Sequence, residues 1–301
     1  MSAPAPDELV SVAIATYNMG QYLPVAVNSA LSQSYAPIEV HIVDDGSTDN
    51  TRFIMRQWNK DPRVHTHAQA NAGQARAKNQ AWRLGRGRYV AFLDADDMWL
   101  PGKLERQMAL FRRNPGLGVV YSEYECMDAQ GQLIPKGPTP MRRGRVAGEL
   151  LVQNFVPYSS GVARRECLES CGGFDESLGM GIDYDLWLRL SARYDFDFLE
   201  EPTVRYRIWE GQMSKNYRKR YQSAIRIMQN FLAEHRDSVS ARQVRLAWAH
   251  TYAGRGDVTL WHEADRRAAF RDYLRALRYM PWFWPAWRSM ARCLLTTRAP
   301  D

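Results

Sequence analysis

The chain has 301 residues, of which 45% are hydrophobic and 24% charged, and this composition excludes an intrinsically disordered protein. No apolar run approaches the roughly 18 residues that a membrane-spanning helix requires. The acidic Asp7 and Glu8 lie where a secretory signal would carry positive charge, so we expect a cytoplasmic protein. The four cysteines form no CxxC pair, which favours buried free thiols over a metal site or a disulfide.

The net charge of +7 is unevenly distributed along the chain. Residues 1–204 contain 21 Lys and Arg against 25 Asp and Glu, whereas residues 205–301 contain 19 against 8. This asymmetry has two interpretations. Either the second part faces an anionic surface, a membrane or nucleic acid, or its helices carry ordinary solvated charges.

Strand and helix patterns alternate along the first 125 residues. Short apolar runs predict strands at 9–15, 38–43, 63–67 and 89–93, and helical spacing predicts helices at 22–33, around Ile54 and Trp58, at 73–84 and from Pro101 to Arg113. Strands separated by helices form βαβ units with right-handed crossovers. The sequence therefore predicts an α/β fold with a mainly parallel twisted sheet flanked by helices, in which ligands bind beyond the carboxyl ends of the strands.

The pattern becomes more irregular after residue 117. A strand-like stretch at 118–124, a hairpin turn at 128–132, a Pro-, Gly- and Arg-rich loop at 135–148, a helix at 183–194 and a strand at 204–208 follow in that order. The loop is long enough to form a mobile flap over a site. From about residue 215 onward the pattern is helical.

Three carboxylates, those of Asp94, Asp96 and Asp97, crowd the end of a predicted strand in RYVAFLDADDMW. Adjacent carboxylates raise one another's pKa, so we expect a positive group beside them. Two carboxylates one residue apart can bind one hard divalent cation, and Mg²⁺ and Mn²⁺ prefer such oxygen ligands. A cation held there would neutralise a diphosphate leaving group.

A second acidic motif, VDDGSTD, spans residues 43–49. Capping of the next helix explains its Ser, Thr and last Asp, but it does not explain Asp44 and Asp45 at the strand tip. We expect an aspartate there to accept hydrogen bonds from a nucleobase edge. Tyr17 of ATYN, at the end of the first strand, is expected to stack on that base.

Asp183 lies at the start of the predicted helix in GIDYDLWLRL. It is either an N-terminal cap that the helix dipole favours or a general base that takes the proton of an attacking hydroxyl. In NAGQARAKNQA, Arg76 and Asn79 lie three residues apart on one predicted helix face. Arg76 would then balance the acids or bind a phosphate of the nucleotide; the alternative is an ordinary surface helix.

The order of ATYN, VDDGSTD, NAGQARAKN, FLDADD and GIDYDLWLRL resembles that of the family 2 glycosyltransferases over roughly residues 9–210. The resemblance implies a GT-A fold and an inverting single displacement on a nucleotide sugar, most often a UDP-sugar. It also implies roles for particular residues: nucleotide binding by Tyr17, Asp44, Asp45 and Asp94, metal binding by Asp96 with Asp97 beside it, and base catalysis by Asp183.

Two positions depart from the pattern of that family. Ile182 replaces the acid that usually precedes the catalytic Asp, and Trp209 stands where relatives commonly have a histidine near the diphosphate. Trp209 is therefore a candidate contact to the acceptor or to the diphosphate.

The resemblance also predicts how the chain is divided. Residues 1–214 would form the glycosyltransferase domain, with a nucleotide-sugar half at about 9–125 and an acceptor half at about 126–214, and residues 215–301 a helical, basic and aromatic region. The expected cofactor is Mn²⁺ or Mg²⁺, and the expected partners are a nucleotide-sugar donor and a glycan or lipid-linked acceptor, with no nucleic acid.

The C-terminal tryptophans have two interpretations. Trp282, Trp284 and Trp287 with neighbouring arginines suit a membrane interface. This would attach the protein peripherally to the inner face of the cell membrane, in bacterial polysaccharide or glycolipid assembly. The alternative is that they pack against the catalytic domain.

Two other functions fit parts of the sequence. A phosphohydrolase would use Asp94 as nucleophile and Asp96 as acid, but that chemistry favours Thr or Val where Met98 stands, and its nucleophile normally follows the first strand. A non-enzymatic basic membrane-surface module fits the C-terminal region alone. A Rossmann dehydrogenase is disfavoured because no GxGxxG follows the first strand.

Overall fold

The computed structural model describes residues 8–295, except for the side chains of Ser214 and Leu295. The chain divides into two compact units. The first unit comprises the residues up to Val146 together with Phe155–Glu210, and the second comprises Ala147–Asn154 together with the residues from Gly211 onward. The functional boundary expected at residue 214 stays a prediction.

The first unit is built on one sheet, to which the described residues contribute nine strands. These are β1 (Val10–Thr16), β2 (Ile38–Asp44), β3 (Val64–Ala68), β4 (Tyr89–Phe92), β5 (Met98–Trp99), β6 (Leu117–Met127), β7 (Leu133–Ile134), β8 (Val162–Arg164) and β9 (Asp195–Arg207). Their order is β3-β2-β1-β4-β8-β6-β9-β5, and β7 pairs with β6.

The described helices flank this sheet or form the second unit. They are α1 (Leu23–Leu31), α2 (Thr51–Met55), α3 (Gln74–Leu84), α4 (Lys103–Arg113), α5 (Ala147–Val152), α6 (Arg165–Ser170), α7 (Ile182–Ser191), α8 (Tyr217–Glu234), α9 (Ala241–His262), α10 (Arg266–Tyr279) and α11 (Trp284–Leu295). None of the helices in the described part of the chain is long and apolar enough to cross a membrane.

The first four strands of the chain are parallel, as the βαβ pattern predicts. β1 pairs with β2 on one side and with β4 on the other, and β2 pairs with β3. Apolar side chains such as those of Val12 and Val40 are fully buried in the main core. Because neighbouring parallel strands end at the same edge, the residues after Thr16, Asp44 and Phe92 lie together there.

The second half of the sheet is mixed. β8 is antiparallel to β4 and to β6, β5 is antiparallel to β9, and β6 runs parallel to β9. β9 begins at Asp195, nine residues before the predicted strand at 204–208. Its first four residues, DFDF, alternate charged and apolar side chains, and Phe196 is fully buried. This alternation is typical of a half-buried strand.

The loop after β7 is fastened to the sheet at several points. The Tyr121 hydroxyl donates to the Arg142 carbonyl at 2.8 Å and accepts from the Arg142 amide at 2.7 Å. Gly144 exchanges two backbone hydrogen bonds with Phe196, and Lys136 forms an ion pair with Glu123 at 2.9 Å. The mobility predicted for this loop therefore stays a prediction, and any movement would have to break these contacts.

The second unit has a core of its own. Ala249 and Ala253 of α9 and Ala269, Tyr273 and Ala276 of α10 are buried in it. Small side chains allow helices to pack at short distance. The Asp272 carboxylate lies in this unit and pairs with Arg255 at 2.6 Å and with Arg275 at 3.1 Å.

All four cysteines are free, as the sequence predicts.

Candidate functional site

The positive group expected beside the acids is Lys78 of α3. Its ammonium donates to Asp94 Oδ1 at 2.7 Å and lies 3.4 Å from the centre of the Tyr158 ring. Lys78 is only 7% exposed. A buried ammonium is stable only where it is paired, and here a carboxylate and an aromatic face both contact it. Sequence reasoning missed Lys78 because nothing in the helical pattern distinguishes a buried lysine from a solvated one.

The loop that follows β4 places Asp96 beside Trp209. The Trp209 indole N–H donates to Asp96 Oδ2 at 2.8 Å, and the Trp209 ring lies 5.8 Å from that of Tyr22. Burial raises the pKa of Asp96, the charge of Asp94 raises it further, and the bond from Trp209 partly offsets both effects. The structure thus joins Trp209, one of the two departures from the family pattern, to Asp96, a predicted metal ligand.

Asp97 lies deeper and connects three parts of the chain. Its Oδ2 accepts from Ser159 Oγ at 2.5 Å, and its Oδ1 accepts from the Arg207 amide at 2.9 Å. Burial and the neighbouring carboxylates raise the pKa of Asp97 well above its usual value. The Arg207 guanidinium donates to the Asp96 carbonyl at 2.8 Å. Asp97 therefore holds residues 94–97, which we call the acidic loop, against β9.

The three acids meet at one place. One carboxylate oxygen from each of Asp94, Asp96 and Asp97 lies within 4.8 Å of the other two. Asp94 and Asp96 are partly exposed, so water and a ligand can reach them. Close like charges in a partly dry site are relieved by a cation, and an all-oxygen donor set suits Mg²⁺ or Mn²⁺. The residues present therefore fit the predicted ion.

Asp44 and Asp45 hold backbone in place at the tip of β2. Asp44 is fully buried; it accepts from the Ser47 amide at 2.9 Å and pairs with Arg52 at 2.5 Å. Asp45 accepts from Gln69 Nε2 at 2.6 Å. It also accepts from the backbone amides of Ala72 at 2.8 Å and Gly73 at 2.9 Å. Their predicted contact with a nucleobase stays a prediction, and it would have to share oxygens that already accept these bonds.

Tyr17 and Asn18 directly follow the end of β1. Tyr17 is 44% exposed, as a stacking platform must be. Asn18 has a positive φ of 53°, and its Oδ1 accepts from the Thr48 amide at 2.7 Å. The backbone amide of Asn18 donates to Ser47 Oγ at 2.9 Å. Asparagine tolerates the left-handed region better than most residues, and here it fastens ATYN to VDDGSTD.

Asp183 lies in the first turn of α7, after Gly181 with a φ of 75°. Burial raises the pKa of Asp183, and the positive charge of Lys78 partly lowers it. The charge of Asp94 raises it. Asp183 therefore lies within the electrostatic influence of the same lysine and acid, which brings the third motif to the site.

The segment before α7 is positioned by α3. Asn79 donates to the Phe174 carbonyl and accepts from the Phe174 amide, both at 2.9 Å. Gln74 donates to the Gly179 carbonyl at 3.1 Å. Asn79 thus fastens the segment before α7 to α3, whereas Arg76 is exposed and, within residues 8–295, no hydrogen bond joins it to the acids. Nucleotide binding by Arg76 stays a prediction.

Known proteins resemble this chain in sequence. Residues 11–169, just over half of the chain, match the profile of the family described as "Glycosyl transferase family 2". A chondroitin synthase from Escherichia coli is 37% identical over 186 residues, which cover 61% of this chain and 26% of that protein. A putative teichuronic acid biosynthesis glycosyltransferase, TuaG of Bacillus subtilis, is 42% identical over 130 residues, which cover 42% of this chain and 51% of that protein. The chain thus spans about half or less of these relatives.

Solved structures share the fold. Residues 1–349 of TarS from S. aureus, in complex with UDP-GlcNAc, align with a TM-score of 0.69 at 17% identity, covering 91% of this chain and 82% of that one. A mannosyltransferase from Pyrobaculum calidifontis, in complex with GDP-Man and Mn²⁺, aligns with a TM-score of 0.58 at 19% identity, covering 98% and 90%. The likeness confirms the GT-A-like α/β fold. The match over residues 11–169 shows that the chain is a member of glycosyl transferase family 2.

Proposed function

We propose that this chain is an inverting glycosyltransferase that moves a sugar from a nucleoside-diphosphate sugar, a UDP-sugar, to an acceptor hydroxyl in polysaccharide or glycolipid assembly. The observation that carries the proposal is the convergence of the Asp94, Asp96 and Asp97 carboxylates beside the Lys78 ammonium. The charges of Lys78 and Asp94 also act on the pKa of Asp183. The chondroitin synthase and the putative teichuronic acid enzyme among the relatives support the polysaccharide pathway, and the TarS complex supports the UDP donor.

The acidic loop is the proposed site of the donor diphosphate. Asp96, with Asp97 beside it, would hold Mn²⁺ or Mg²⁺, and Asp94 would face the ribose. A bound cation would neutralise the diphosphate as it leaves. Trp209 fixes Asp96 through its indole N–H, and Lys78 balances Asp94 when no ligand is present. Trp209 also has an aromatic face on which an acceptor or donor group would pack.

Asp183 is the proposed general base. Its carboxylate would take the proton of the acceptor hydroxyl while that oxygen forms a bond to the anomeric carbon and the bond from that carbon to the diphosphate breaks. The attack comes from the side opposite the diphosphate and inverts the configuration. A base whose pKa is raised toward the working pH is more effective, which is the direction found for Asp183.

The donor site predicts nucleotide binding that depends on metal and on Asp96. UDP with Mn²⁺ should raise the thermal unfolding midpoint by about 5–10 °C at 100 times its Kd, and Asp96→Ala should abolish the shift. Thermal shift measurements with UDP, GDP, dTDP and CMP, each with and without Mn²⁺, check this. A larger shift with GDP would contradict the UDP donor, and no shift with any nucleotide would contradict the proposed function.

The catalytic role of Asp183 predicts a loss of turnover without a loss of donor binding. Asp183→Asn keeps the size of the side chain but cannot take a proton, so transfer should fall by about 10²–10⁴-fold. Initial rates with a UDP-sugar and the nucleotide thermal shift measure the two properties separately. The exposed Asp237→Asn is the control and should leave both unchanged. Full turnover by Asp183→Asn would remove this residue from the mechanism.

The charge of Lys78 predicts where activity is lost in acid. Asp183 acts as a base only when ionised, so kcat/KM should fall as the pH falls through its raised pKa. Lys78 lowers that pKa, so Lys78→Met should move the acid limb of the profile to higher pH, whereas Lys78→Arg should keep it near the wild-type position. Profiles of kcat/KM against pH for the three proteins check this, with circular dichroism to confirm folding. An acid limb that stays in place in Lys78→Met would contradict the coupling.

A lipid-linked acceptor is proposed from the C-terminal aromatic residues. Trp282 and Trp284 are 90% and 72% exposed, and Arg288 follows on α11. Exposed tryptophans with arginines suit a membrane interface.

The full chain should therefore sediment with vesicles of phosphatidylcholine and phosphatidylglycerol, and the double variant Trp282→Ala/Trp284→Ala should not. Phe53→Ala, which removes an exposed aromatic residue of the first unit, is the control. Equal sedimentation of all three would contradict attachment through these tryptophans, and no sedimentation of any would contradict membrane attachment.

A further inference from the structure

A second cluster of titratable side chains lies on β2 and β3, apart from the acidic loop after β4. Glu39 and His41 are two residues apart on β2, and His65 and His67 are two residues apart on the edge strand β3. Residues two apart on a strand share a face. His41 pairs in register with His65, so the imidazole rings of the two strands are neighbours on one face of the sheet.

The donor atoms of this cluster converge. One carboxylate oxygen of Glu39 and one ring nitrogen from each of His41 and His65 lie within 4.8 Å of one another. The His41 and His65 rings stack with centres 4.8 Å apart, and the His67 ring centre is 6.1 Å from that of His41. His41 Nε2 lies 3.5 Å from Glu39 Oε1.

His41 and His67 carry buried ring nitrogens that form no hydrogen bond with the part of the chain that the structure describes. His41 is 4% exposed; its Nδ1 has no hydrogen-bond partner among the described residues, and its Nε2 has only the Glu39 carboxylate, at 3.5 Å. His67 Nε2 likewise has no hydrogen-bond partner within residues 8–295. A buried polar atom without a partner is costly, and each such atom calls for an explanation such as an ion.

Glu39 is positioned by protein groups mainly through one oxygen. Its Oε1 accepts from Ser11 Oγ at 2.7 Å and from the Arg86 amide at 2.5 Å, whereas Oε2 has the Arg86 guanidinium at 3.4 Å. Hydrogen bonds of this kind, from protein groups that do not touch the metal, orient carboxylates that ligate it. Oε2 is thus the oxygen with capacity for a further strong contact.

We propose that Glu39, His41 and His65 form a second metal site, for a divalent transition ion of the Zn²⁺ class, with His67 as a fourth candidate ligand. Imidazole nitrogens with one carboxylate suit Zn²⁺, Ni²⁺ or Cu²⁺, whereas Mg²⁺ and Mn²⁺ prefer oxygen. The lone pair of an imidazole nitrogen lies in the ring plane, and the His41 and His65 planes are only 24° apart with centres 4.8 Å apart. Binding one ion therefore requires the rings to turn about χ2, which is a broad torsion.

The proposed ion would fasten the edge of the sheet. It would join β2 to the edge strand β3, which otherwise has only one paired neighbour in the described sheet. β3 leads directly into Gln69, whose amide holds Asp45 at 2.6 Å. The site would therefore stabilise the strand that supports the proposed nucleotide side, without contributing to the transfer itself.

The test is Zn²⁺ binding by the full chain after metal has been removed with a chelator. Titration against a chromophoric zinc chelator should give one tight site per chain, and Zn²⁺ at 100 times its Kd should raise the unfolding midpoint by about 5–10 °C. His41→Gln and His65→Gln should each weaken binding by more than the ~10–100-fold that loss of a supporting hydrogen bond causes. Bound Co²⁺ should give the visible absorption of a low-coordinate nitrogen and oxygen site.

Two controls separate this site from other donors. Asp96→Ala removes the acidic loop as a ligand, and His262→Gln removes an exposed histidine of the second unit, so both should bind Zn²⁺ as the wild type does. If His41→Gln does not fold, His65→Gln decides, because His65 is only partly buried on the edge strand. Absence of a tight site in the wild type, or unchanged binding by His65→Gln, would overturn the proposal.

Discussion

The site depends on the contact between one buried ammonium and the acids around it. Lys78 reaches Asp94 at 2.7 Å and lies over the Tyr158 ring, and its charge also acts on Asp183. Removing an ammonium and several carboxylates from water costs several kcal/mol for each ion unless they are paired. Lys78 supplies that pairing, so it allows three aspartates to lie close together after β4 before any ligand arrives.

The remaining contacts give the acidic loop its shape. Asp97 accepts hydrogen bonds from Ser159 and from the Arg207 amide, and Arg207 in turn donates to the carbonyl of Asp96. The loop is therefore fastened to β9 and to the segment before β8, two elements distant in the chain. Rigid support of this kind keeps the partly exposed oxygens of Asp94 and Asp96 aimed at one point, which is a condition for binding a cation or a diphosphate.

The histidine cluster illustrates a different balance. In the acidic loop each carboxylate has a donor or a cation beside it, whereas on β2 and β3 the buried His41 Nδ1 and His67 Nε2 have no hydrogen-bond partner among residues 8–295. At the carboxyl end of β4 the carboxylates of the acidic loop thus have hydrogen-bond partners. Near the β3 edge of the same sheet, some buried histidine nitrogens have none among the described residues. Hard oxygen donors at the first and imidazoles at the second would select different ions.

Much of the architecture was predictable from local pattern. The alternation of apolar runs and helical spacing predicted β1 to β4 and the helices between them to within a few residues, because the period of side-chain burial follows directly from the geometry of strands and helices. The parallel pairing then places the residues after β1, β2 and β4 at one edge. For this reason the sequence alone could assign Tyr17, Asp45 and Asp94 to one region, and the motif order could identify the family.

Only the tertiary structure decided which side chains complete that region. Lys78 rather than Arg76 faces the acids, because the packing of α3 on the sheet determines which of its residues point inward. The bond from Trp209 to Asp96 joins residues 113 positions apart, and the pairing of His41 with His65 depends on strand register. Contacts of this kind arise from the packing of distant segments, which no local period in the sequence encodes.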